Sequence, residues 1–349
     1  MAAVAERSQR RRRGRLQISR QLREGSFVYL HQGREITDPQ QLERIKSLAI
    51  PPAWHDVEIS ASDSAKVQAR GFDDAGRRQA IYHPAYRRRR DAEKFDRLVG
   101  FGQALPRLRR QVERDLRRRG APQDKVVACV VKLMDQRYLR VGTAEYAKRY
   151  RSFGATTLRR RHARVTGSTL TFEFTGKSGQ DQSISLNDPQ LASLVAQLKE
   201  MPGYEIFRFV DEDEELHTVQ GRHVNDYLKH HLGLDYSAKD FRTWGGTLTA
   251  VTAIFDSDLE QATTKKAITG IERDVVEQVS EALGNTPATA RQSYIDPRVL
   301  SLTTDHAELA RLRATRKRRR PRKYLSVDEQ CLLELLSRSS RSAGQPPSP

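Results

Sequence analysis

The stretch VVACVVKLMDQRYLRVG (126–142) joins a strongly apolar run to a short cationic segment. Its apolar residues recur at helical spacing: Val126, Val127, Val130, Val131 and Met134. That spacing predicts one buried face of a helix. Arg137 and Arg140 follow just past the predicted helix. Two cations are therefore expected at the end of an element that the core holds firmly.

Helical patterns continue on both sides of this stretch. They cover residues 95–116, 145–150, 191–199, 222–232, 246–256, 258–268 and 270–283. Strand-like residues at 169–174 and 181–186 are joined by a Gly-rich turn, which predicts a hairpin with Lys177 at its tip. Residues 89–312 are therefore predicted to form a mainly α-helical domain with one inserted small β-sheet.

The preceding part of the chain is rich in strand patterns. Alternating or β-branched segments occur at 26–31, 55–60, 67–71 and 78–82. Between the first two, Asp38 and Pro39 are suited to the N-cap and first position of a short helix. Residues 25–88 are predicted to form a small strand-rich domain. The expected fold class is α+β.

Arginine runs mark the remaining boundaries, at 10–13, 87–90 and 316–320. Like charges at this density repel, so residues 1–24 are predicted to be a basic disordered arm. Residues 313–349 are predicted to be a basic tail with a weak helix at 326–337 and a disordered end. We expect all three runs to contact phosphates without sequence preference.

The charge balance limits the class of partner. The chain has 349 residues, with 62 Lys+Arg against 44 Asp+Glu and a net charge of +18. Such a balance favours a polyanion, either nucleic acid or an anionic membrane surface. No apolar run approaches the length of a membrane span, and two cysteines offer neither a disulfide framework nor a thiolate metal site. We expect an intracellular protein that binds nucleic acid.

A tyrosine late in the chain, Tyr294 in ARQSYIDP (290–297), is the candidate centre of chemistry. Taken alone, it would be an ordinary packing residue. Four segments could supply it with cations or polar groups, at 137–142, 176–177, 239–245 and 285–287. A tyrosine hydroxyl among fixed cations can attack a phosphodiester, because the cations neutralise charge that builds on phosphorus.

In-line attack on a phosphodiester has further requirements. Donors must hold the two non-bridging oxygens, which suits the bidentate fork of arginine. The departing 5′-hydroxyl needs a proton, and a lysine on a hairpin can supply it if neighbouring cations lower its pKa. Such a scheme requires no metal ion.

The ordered set of motifs resembles the type IB DNA topoisomerases, most closely the compact poxvirus-like enzymes of poxviruses and some bacteria. The resemblance rests on LRVG (139–142) with Tyr146, on Gly176-Lys177, on KDFRTW (239–244) and on QSY (292–294). PPAW (51–54) and the segments GFD (71–73) and YHP (82–84) extend it into the first domain. It covers roughly residues 25–300. Each motif is short, but the ordered set is specific.

The resemblance implies a role for each matching residue. Tyr294 would be the nucleophile and would form a 3′-phosphotyrosyl link. Arg140 and Arg242 would clamp the non-bridging oxygens, and Lys177 would be the general acid for the 5′-oxygen. Asn285 stands where the family usually has histidine. Its amide can donate to a phosphate oxygen but cannot transfer a proton.

The resemblance also implies the DNA contacts and the reaction. Gln79 and Tyr82 match positions that face the major groove, and Tyr146 and Lys239 would also bind DNA. Ala80 replaces a tyrosine of the poxvirus enzymes, so we expect less selective cleavage. The enzyme would nick one strand of duplex DNA, let it rotate and reseal it, relaxing both supercoil signs without ATP, metal or other cofactor.

The same resemblance sets expectations about the setting. We expect a cytoplasmic, nucleoid-associated monomer that closes as a clamp around duplex DNA. Neither a membrane nor a small-molecule substrate is expected.

Three alternatives remain open from the residues. A tyrosine recombinase would share the helical domain, but recombinases typically place His-x-x-Arg where this chain has Lys239 and Arg242. A catalytically silent DNA-binding protein would use the same basic surface. A metal nuclease would use the carboxylates at 211–215, although consecutive residues of one loop rarely converge on one ion, so a solvated turn is preferred.

Overall fold

The computed structural model describes residues 16–233 and 236–343. The chain divides into two compact units, Met1–Glu93 and Lys94–Pro349. The sequence placed this boundary five residues earlier, at 88/89, within the arginine run at 87–90. The division falls inside one long helix, because that helix runs from the first unit into the second. The arginine run at 10–13 lies outside the described residues.

Within the described residues, the first unit contains a six-stranded antiparallel sheet in the order β3-β2-β1-β4-β5-β6. Its strands are β1 (Ile18–Arg23), β2 (Ser26–His31), β3 (Arg34–Glu35), β4 (His55–Ile59), β5 (Val67–Phe72) and β6 (Arg78–Tyr82). Helix α1 (Pro39–Ser47) begins as predicted, because the Asp38 side chain accepts a hydrogen bond from the Gln41 N–H (3.1 Å). Its residue Ile45 packs with Val57 and Ile59 of β4 in a small core.

Strand β1 corrects the prediction of a disordered arm at 1–24. Ile18 is fully buried, and β1 pairs with β2 along its whole length and with β4 at its start. The charges of Arg20 and Arg23 did not prevent this pairing, because the guanidinium of Arg20 donates to backbone carbonyls, including that of Trp54 (2.5 Å). Residues 16–24 therefore belong to the folded first unit.

The second unit is mainly helical, which confirms the predicted α+β class. Its helices are α2 (Pro84–Leu116, which starts in the first unit), α3 (Gln123–Arg137), α4 (Ala144–Tyr150), α5 (Pro189–Glu200), α6 (Gly221–Leu232), α7 (Ala238–Asp256), α8 (Lys265–Leu283), α9 (Pro287–Ser293), α10 (Pro297–Leu300), α11 (His306–Arg318) and α12 (Val327–Ala343). Helix α3 is buried from residue 126 to residue 131, so the apolar run that begins at Val126 lies in the core.

An antiparallel sheet interrupts the helices, in the order β7-β8-β9. Its strands are β7 (Ala163–Thr166), β8 (Thr169–Thr175) and β9 (Asp181–Asn187), and a short pair, β10 (Arg208–Val210) and β11 (Leu216–Thr218), follows later. Lys177 lies in the turn between β8 and β9, where the hairpin tip was predicted. Among the described residues, no helix is long and apolar enough to cross a membrane.

The C-terminal helices correct the predicted tail at 313–349. Helix α11 ends at Arg318, and α12 buries an apolar face in the core of the second unit. That face consists of Cys331, Leu332, Leu335 and Leu336. Residues 313–338 are therefore part of the packed unit. The Ser/Pro end at 344–349 lies outside the described residues.

The arginine run at 316–320 is largely engaged within the protein. Arg316 pairs with Asp328 (2.6 Å) and with Asp256, and Arg319 pairs with Glu334. These pairs attach the end of α11 to α12 and α7. The expectation that this run contacts phosphate is therefore wrong for Arg316 and Arg319, because carboxylates that are distant in the sequence neutralise them.

A buried ion network joins α12 to the rest of the unit. The guanidinium of Arg109 on α2 donates to Asp135 on α3 (2.7 Å) and to Glu329 on α12 (2.7 Å). Glu329 also accepts a hydrogen bond from the indole of Trp244 on α7 (3.3 Å). Its side chain is only 4% exposed. Four helices thus share one buried set of charges.

We expect Glu329→Ala to lower the free energy of unfolding by about 3–5 kcal/mol, because it removes one of the two carboxylates that neutralise a buried guanidinium. Urea unfolding measures this change. The control is Asp274→Ala, which breaks an exposed pair with Arg273 and should cost less than about 1 kcal/mol. An equal decrease in the free energy of unfolding of the two variants would contradict the conclusion that the Arg109–Glu329 ion pair holds α12 against the rest of the unit.

Candidate active site

Arg140 stands on a short extended segment that follows α3. The helix ends at Arg137, and Tyr138 caps it in the left-handed conformation (φ 54°, ψ 29°). Leu139 is buried, which anchors the segment in the core. The carbonyl of Arg140 accepts a hydrogen bond from the Ala155 N–H (2.7 Å). The backbone that carries Arg140 is therefore held on both sides.

The side chain of Arg140 reaches the end of helix α8. Its Nη2 donates to the carbonyl of Gly284 (3.0 Å) and to the Asn285 side-chain oxygen. The backbone N–H of Asn285 is bonded to the carbonyl of Ser280 (2.9 Å), so this residue is fixed relative to α8. The Asn285 Nδ2 is buried and has no hydrogen-bond partner within the described part of the chain.

Arg242 lies on α7 and is almost fully buried, with 4% exposure. The sequence placed the start of this helix at 246, but it begins at Ala238, so Arg242 is in its second turn. Nη1 donates to the carbonyl of Tyr138 (2.6 Å), and Nη2 donates to that of Leu283 (2.8 Å). These acceptors are the ends of α3 and α8. Arg242 therefore lies where three helices meet.

Tyr294 caps α9 and packs directly on α7. Its carbonyl accepts a hydrogen bond from the Thr247 hydroxyl (3.0 Å). A Cβ at Gly246 would lie 2.8 Å from that carbonyl oxygen and 3.0 Å from the Tyr294 Cβ, so only glycine leaves room for the tyrosine. The Tyr294 ring centroid is 5.0 Å from the guanidinium carbon of Arg242.

A cleft of about 390 Å³ opens beside these residues. Arg140, Arg242 and Gly176 line it. Gly176 precedes Lys177, which is exposed on the hairpin turn and adds to the positive field at Tyr294. The structure thus brings together the five residues that the sequence assigned to catalysis.

The two site arginines differ electrostatically from the structural Arg109. Among the described residues, neither Arg140 nor Arg242 has a carboxylate within ion-pair distance. Burial lowers the pKa of both; that of Arg140 falls to about 10, with repulsion from Arg242 as the second cause. Arg109 is also buried, yet Asp135 and Glu329 raise its pKa. The site therefore holds buried positive charge that an anion would stabilise.

The same charges act on the candidate nucleophile. Burial by itself raises the pKa of the Tyr294 hydroxyl. The charge of Arg242 and its hydrogen bond, with smaller contributions from Arg140 and Lys177, outweigh burial, so the pKa lies below its usual value of 10. A lowered pKa makes the oxygen a better nucleophile near neutral pH.

The predicted DNA-contact residues lie in both units. Tyr146 on α4 and Lys239 at the start of α7 are exposed. In β6, the exposed residues Ala80 and Tyr82 alternate with the partly buried Gln79. Gln79 therefore points to the other face from Tyr82, and its amide donates to Asp73 of the adjoining turn (2.9 Å). We expected both residues to face the major groove, but they lie on opposite faces of β6.

The acidic loop at 211–215 is the turn between β10 and β11. The Asp211 carboxylate accepts hydrogen bonds from the backbone N–H groups of Asp213 (3.1 Å) and Glu215 (2.8 Å). Asp211, Glu215 and His217 lie close enough to share an ion, but these turn contacts account for their positions. The loop has the geometry of a solvated turn, as predicted.

Sequence reasoning missed two residues that hold the site. The carbonyl of Tyr138 binds Arg242, and Lys94 donates to the carbonyl of Ser293 (3.0 Å), next to Tyr294. Tyr138 is two residues before Arg140, so the sequence did show that it lies near the candidate site. Backbone acceptors have no residue-type signal, and Lys94 is one lysine in a basic chain. Only the fold identifies them.

A helical unit that gathers uncompensated arginines and a tyrosine at one cleft, beside a strand-rich unit, is the architecture of an enzyme that breaks and rejoins DNA strands. The chain belongs to the type IB DNA topoisomerases. Residues 83–318 match the family described as "Eukaryotic DNA topoisomerase I, catalytic core", and residues 26–73 match "Bacterial DNA topoisomerase IB, N-terminal domain". It is accordingly an isomerase whose substrate is duplex DNA.

Two named relatives agree with this family. DNA topoisomerase 1B of Acanthamoeba polyphaga mimivirus is 28% identical over 289 residues, which cover 81% of this chain and 85% of the relative. DNA topoisomerase 1 of Mycosarcoma maydis is 24% identical over 178 residues, covering 46% of this chain and 17% of that longer protein.

We expect one tyrosine to ionise below the usual pKa of 10, because Arg242, Arg140 and Lys177 stabilise its anion. Tyrosinate absorbance, recorded as a difference between the wild type and Tyr294→Phe, isolates this group. Lys177→Met should raise its pKa by removing a positive charge. Lys265→Met, a control at the start of α8, should leave it unchanged. A Tyr294 pKa of 10 or above in the wild type would contradict the assigned field.

Proposed function

We propose that Tyr294 is the nucleophile of strand cleavage. Its phenolic oxygen attacks the phosphorus of one DNA strand, a Tyr294 O–P bond forms, and the bond from phosphorus to the 5′-oxygen breaks. The phenolic proton leaves to solvent, which the lowered pKa favours. The product is a 3′-phosphotyrosyl link and a free 5′-hydroxyl.

The observation that carries this proposal is a set of buried donors with spare capacity beside Tyr294. The Arg242 Nε and the Asn285 Nδ2 are buried without a hydrogen-bond partner among the described residues. A buried unsatisfied donor costs about 1–3 kcal/mol. The Nε atoms of Arg159, Arg208 and Arg313 are buried in the same way, so the surrounding charge decides what the two site donors suit. Two such atoms together in a region of uncompensated positive charge favour a phosphate group as that partner.

Each donor then has a distinct task. Arg140 and Arg242 hold the non-bridging oxygens and stabilise charge that builds on phosphorus during attack. Asn285 contributes a neutral hydrogen bond where the family usually has histidine. Arg140 supports this arrangement because its guanidinium donates a hydrogen bond to the Asn285 side-chain oxygen, which directs the amide nitrogen away from the guanidinium.

Lys177 acts as the general acid. The 5′-oxygen is a poor leaving group as an alkoxide, so protonation during departure lowers the barrier. Lys177 is exposed on its turn, yet it contributes to the field at Tyr294. A hairpin tip can approach the 5′-oxygen when DNA fills the cleft.

The same groups reseal the strand in reverse. The 5′-hydroxyl attacks the phosphotyrosine, Lys177 takes back its proton, and Tyr294 leaves. The covalent link conserves the energy of the broken bond, so the cycle consumes no ATP, and the arginines supply the positive charge that a metal would otherwise provide. Rotation of the free 5′ end before resealing relaxes supercoils of either sign.

The two units act as a clamp in one monomer. Each unit exposes residues that the family resemblance assigns to DNA, Tyr82 on the first unit and Tyr146 and Lys239 on the second, and the net positive charge of the chain favours binding to the phosphate backbone. Gln79 joins this surface only if it releases Asp73. In a bacterial cell this activity belongs to the nucleoid in the cytoplasm.

We expect the wild type to convert negatively supercoiled plasmid into a ladder of relaxed topoisomers in EDTA without ATP. Tyr294→Phe should bind the plasmid with similar affinity and produce no ladder, because the ring remains and the nucleophile is lost. Agarose electrophoresis under denaturing and native conditions separates covalent nicking from relaxation.

The outcomes distinguish the alternatives. Binding without relaxation by the wild type would indicate a silent DNA-binding protein. Activity that requires Mg²⁺ would indicate a metal nuclease. Relaxation retained by Tyr294→Phe would reject the assigned nucleophile while leaving the family intact.

A separate experiment tests the proton donor. Lys177→Met should cleave an ordinary duplex slowly but recover on a duplex whose scissile 5′-oxygen is replaced by sulfur, because a thiolate leaves without a proton. Arg140→Met should not recover on that substrate, since its task is to stabilise phosphorus. Equal rescue of both variants would reject Lys177 as the acid.

A further inference from the structure

We propose that the aromatic ring of Tyr138 is a positioning element that sets the alignment of Arg140 and Arg242. The inference rests on the proposed function, because it assigns meaning to the positions of those arginines. No role for Tyr138 follows from the motifs, because the residue lies just before the matching segment LRVG (139–142).

The backbone of Tyr138 is unusual for a large side chain. It adopts φ 54° and ψ 29° at the end of α3, a region that bulky residues rarely occupy. Such conformations persist only where surrounding contacts hold them, and they concentrate at functional sites. Arg140 follows two residues later on the same extended segment. A change in the orientation of Tyr138 would therefore be transmitted to Arg140.

The ring of Tyr138 supplies the contact that holds this conformation. It lies directly on α7 at Gly245, where an added Cβ would be 2.2–2.6 Å from three ring carbons. Gly245 is three residues after Arg242 on the same helix, so the two positions are neighbours on the helix surface. The ring therefore sets the distance between the end of α3 and the turn of α7 that carries Arg242.

The carbonyl of Tyr138 makes the second contact with the same helix turn. It accepts the hydrogen bond from the Arg242 Nη1 (2.6 Å). One residue therefore touches α7 twice, through its ring at Gly245 and through its carbonyl at Arg242. Movement of the ring changes the position of the carbonyl, and the carbonyl changes the direction of the guanidinium.

Open space near the ring makes the Gly245 contact decisive. Tyr138 borders the candidate active-site cleft and two further clefts of about 510 Å³ and 470 Å³. A ring surrounded on all sides by close-packed core would stay in place without any single neighbour. Tyr138 borders open space on these sides, and its ring makes its close contact with α7 at Gly245. Burial also raises the pKa of the hydroxyl to about 12, so Tyr138 stays neutral and acts through its shape.

A double-mutant cycle tests the proposal, using Tyr138→Ala, Gly245→Ala and the pair combined. The measurement is the rate of covalent adduct formation in a single turnover at saturating protein, with DNA Kd and thermal midpoint recorded for each variant. We expect Tyr138→Ala and Gly245→Ala each to lower this rate by about 100-fold, since small misplacements of positioning groups have effects of that size. DNA Kd should stay near the wild-type value.

The combined variant gives the decisive comparison. In the Tyr138→Ala background there is no ring for the new methyl group to displace, so Gly245→Ala should cause no further loss of rate. Alanine is the better helix former, so weakening of α7 does not explain a loss in the single variant. The same fractional loss in both backgrounds would overturn the proposal.

Two further variants separate the ring from the backbone. Tyr138→Phe keeps the ring and should cleave at nearly the wild-type rate. Tyr138→Gly relieves the left-handed backbone but removes the ring, and it should be as slow as Tyr138→Ala. Cleavage by Tyr138→Gly at the wild-type rate would overturn the proposal. It would also be overturned if Tyr138→Ala had a lower thermal midpoint than the wild type but cleaved at the wild-type rate well below that midpoint. Absence of any adduct from the wild type would instead contradict the proposed function.

Discussion

The guanidinium of Arg242 is buried, and its anchors are backbone carbonyls rather than carboxylates. Those carbonyls belong to Tyr138 and Leu283, at the C-terminal ends of α3 and α8. The last carbonyls of a helix lack partners within it and carry the negative end of the helix dipole. They can hold a cation in place while leaving most of its charge uncompensated. The site is consequently positive, which suits the phosphate contact that we propose.

Two adjacent glycines on α7 make this convergence of helices possible. Gly245 accommodates the ring of Tyr138, and Gly246 accommodates the backbone of Tyr294. Any side chain at either position would separate α7 from one of its partners. Arg242 is on the preceding turn of the same helix. One surface of α7 therefore sets both the distance from Arg242 to Tyr294 and the distance from Arg242 to the segment that carries Arg140.

Buried arginines serve two purposes in this protein, and the sequence does not distinguish them. Arg109 is neutralised by Asp135 and Glu329, and it joins α12 to the core. Arg242 is more deeply buried than Arg109, yet it has no described carboxylate partner. Charge compensation is a property of three-dimensional neighbours, so an arginine of structural function and one that we propose to act in catalysis look alike along the chain. This is also why the run at 316–320 was assigned to phosphate, although Arg316 and Arg319 pair with carboxylates of α7 and α12.

Local patterns determined much of this protein. Periodicity identified four of the six described strands of the first unit and most helices, and the turn residues identified the hairpin of Lys177. Ordered motifs identified the family and the residues of the candidate active site. Those signals are local, because propensity and side-chain spacing act over a few residues. Tertiary structure decided what depends on distant partners: the pairing of β1 with β4, the burial of α12, the start of α7 at Ala238, and the contacts of Tyr138 with Gly245 and Arg242. Every residue type has a backbone carbonyl, so the sequence does not show which carbonyls accept hydrogen bonds from Arg242. Only the folded chain shows that they belong to the ends of α3 and α8.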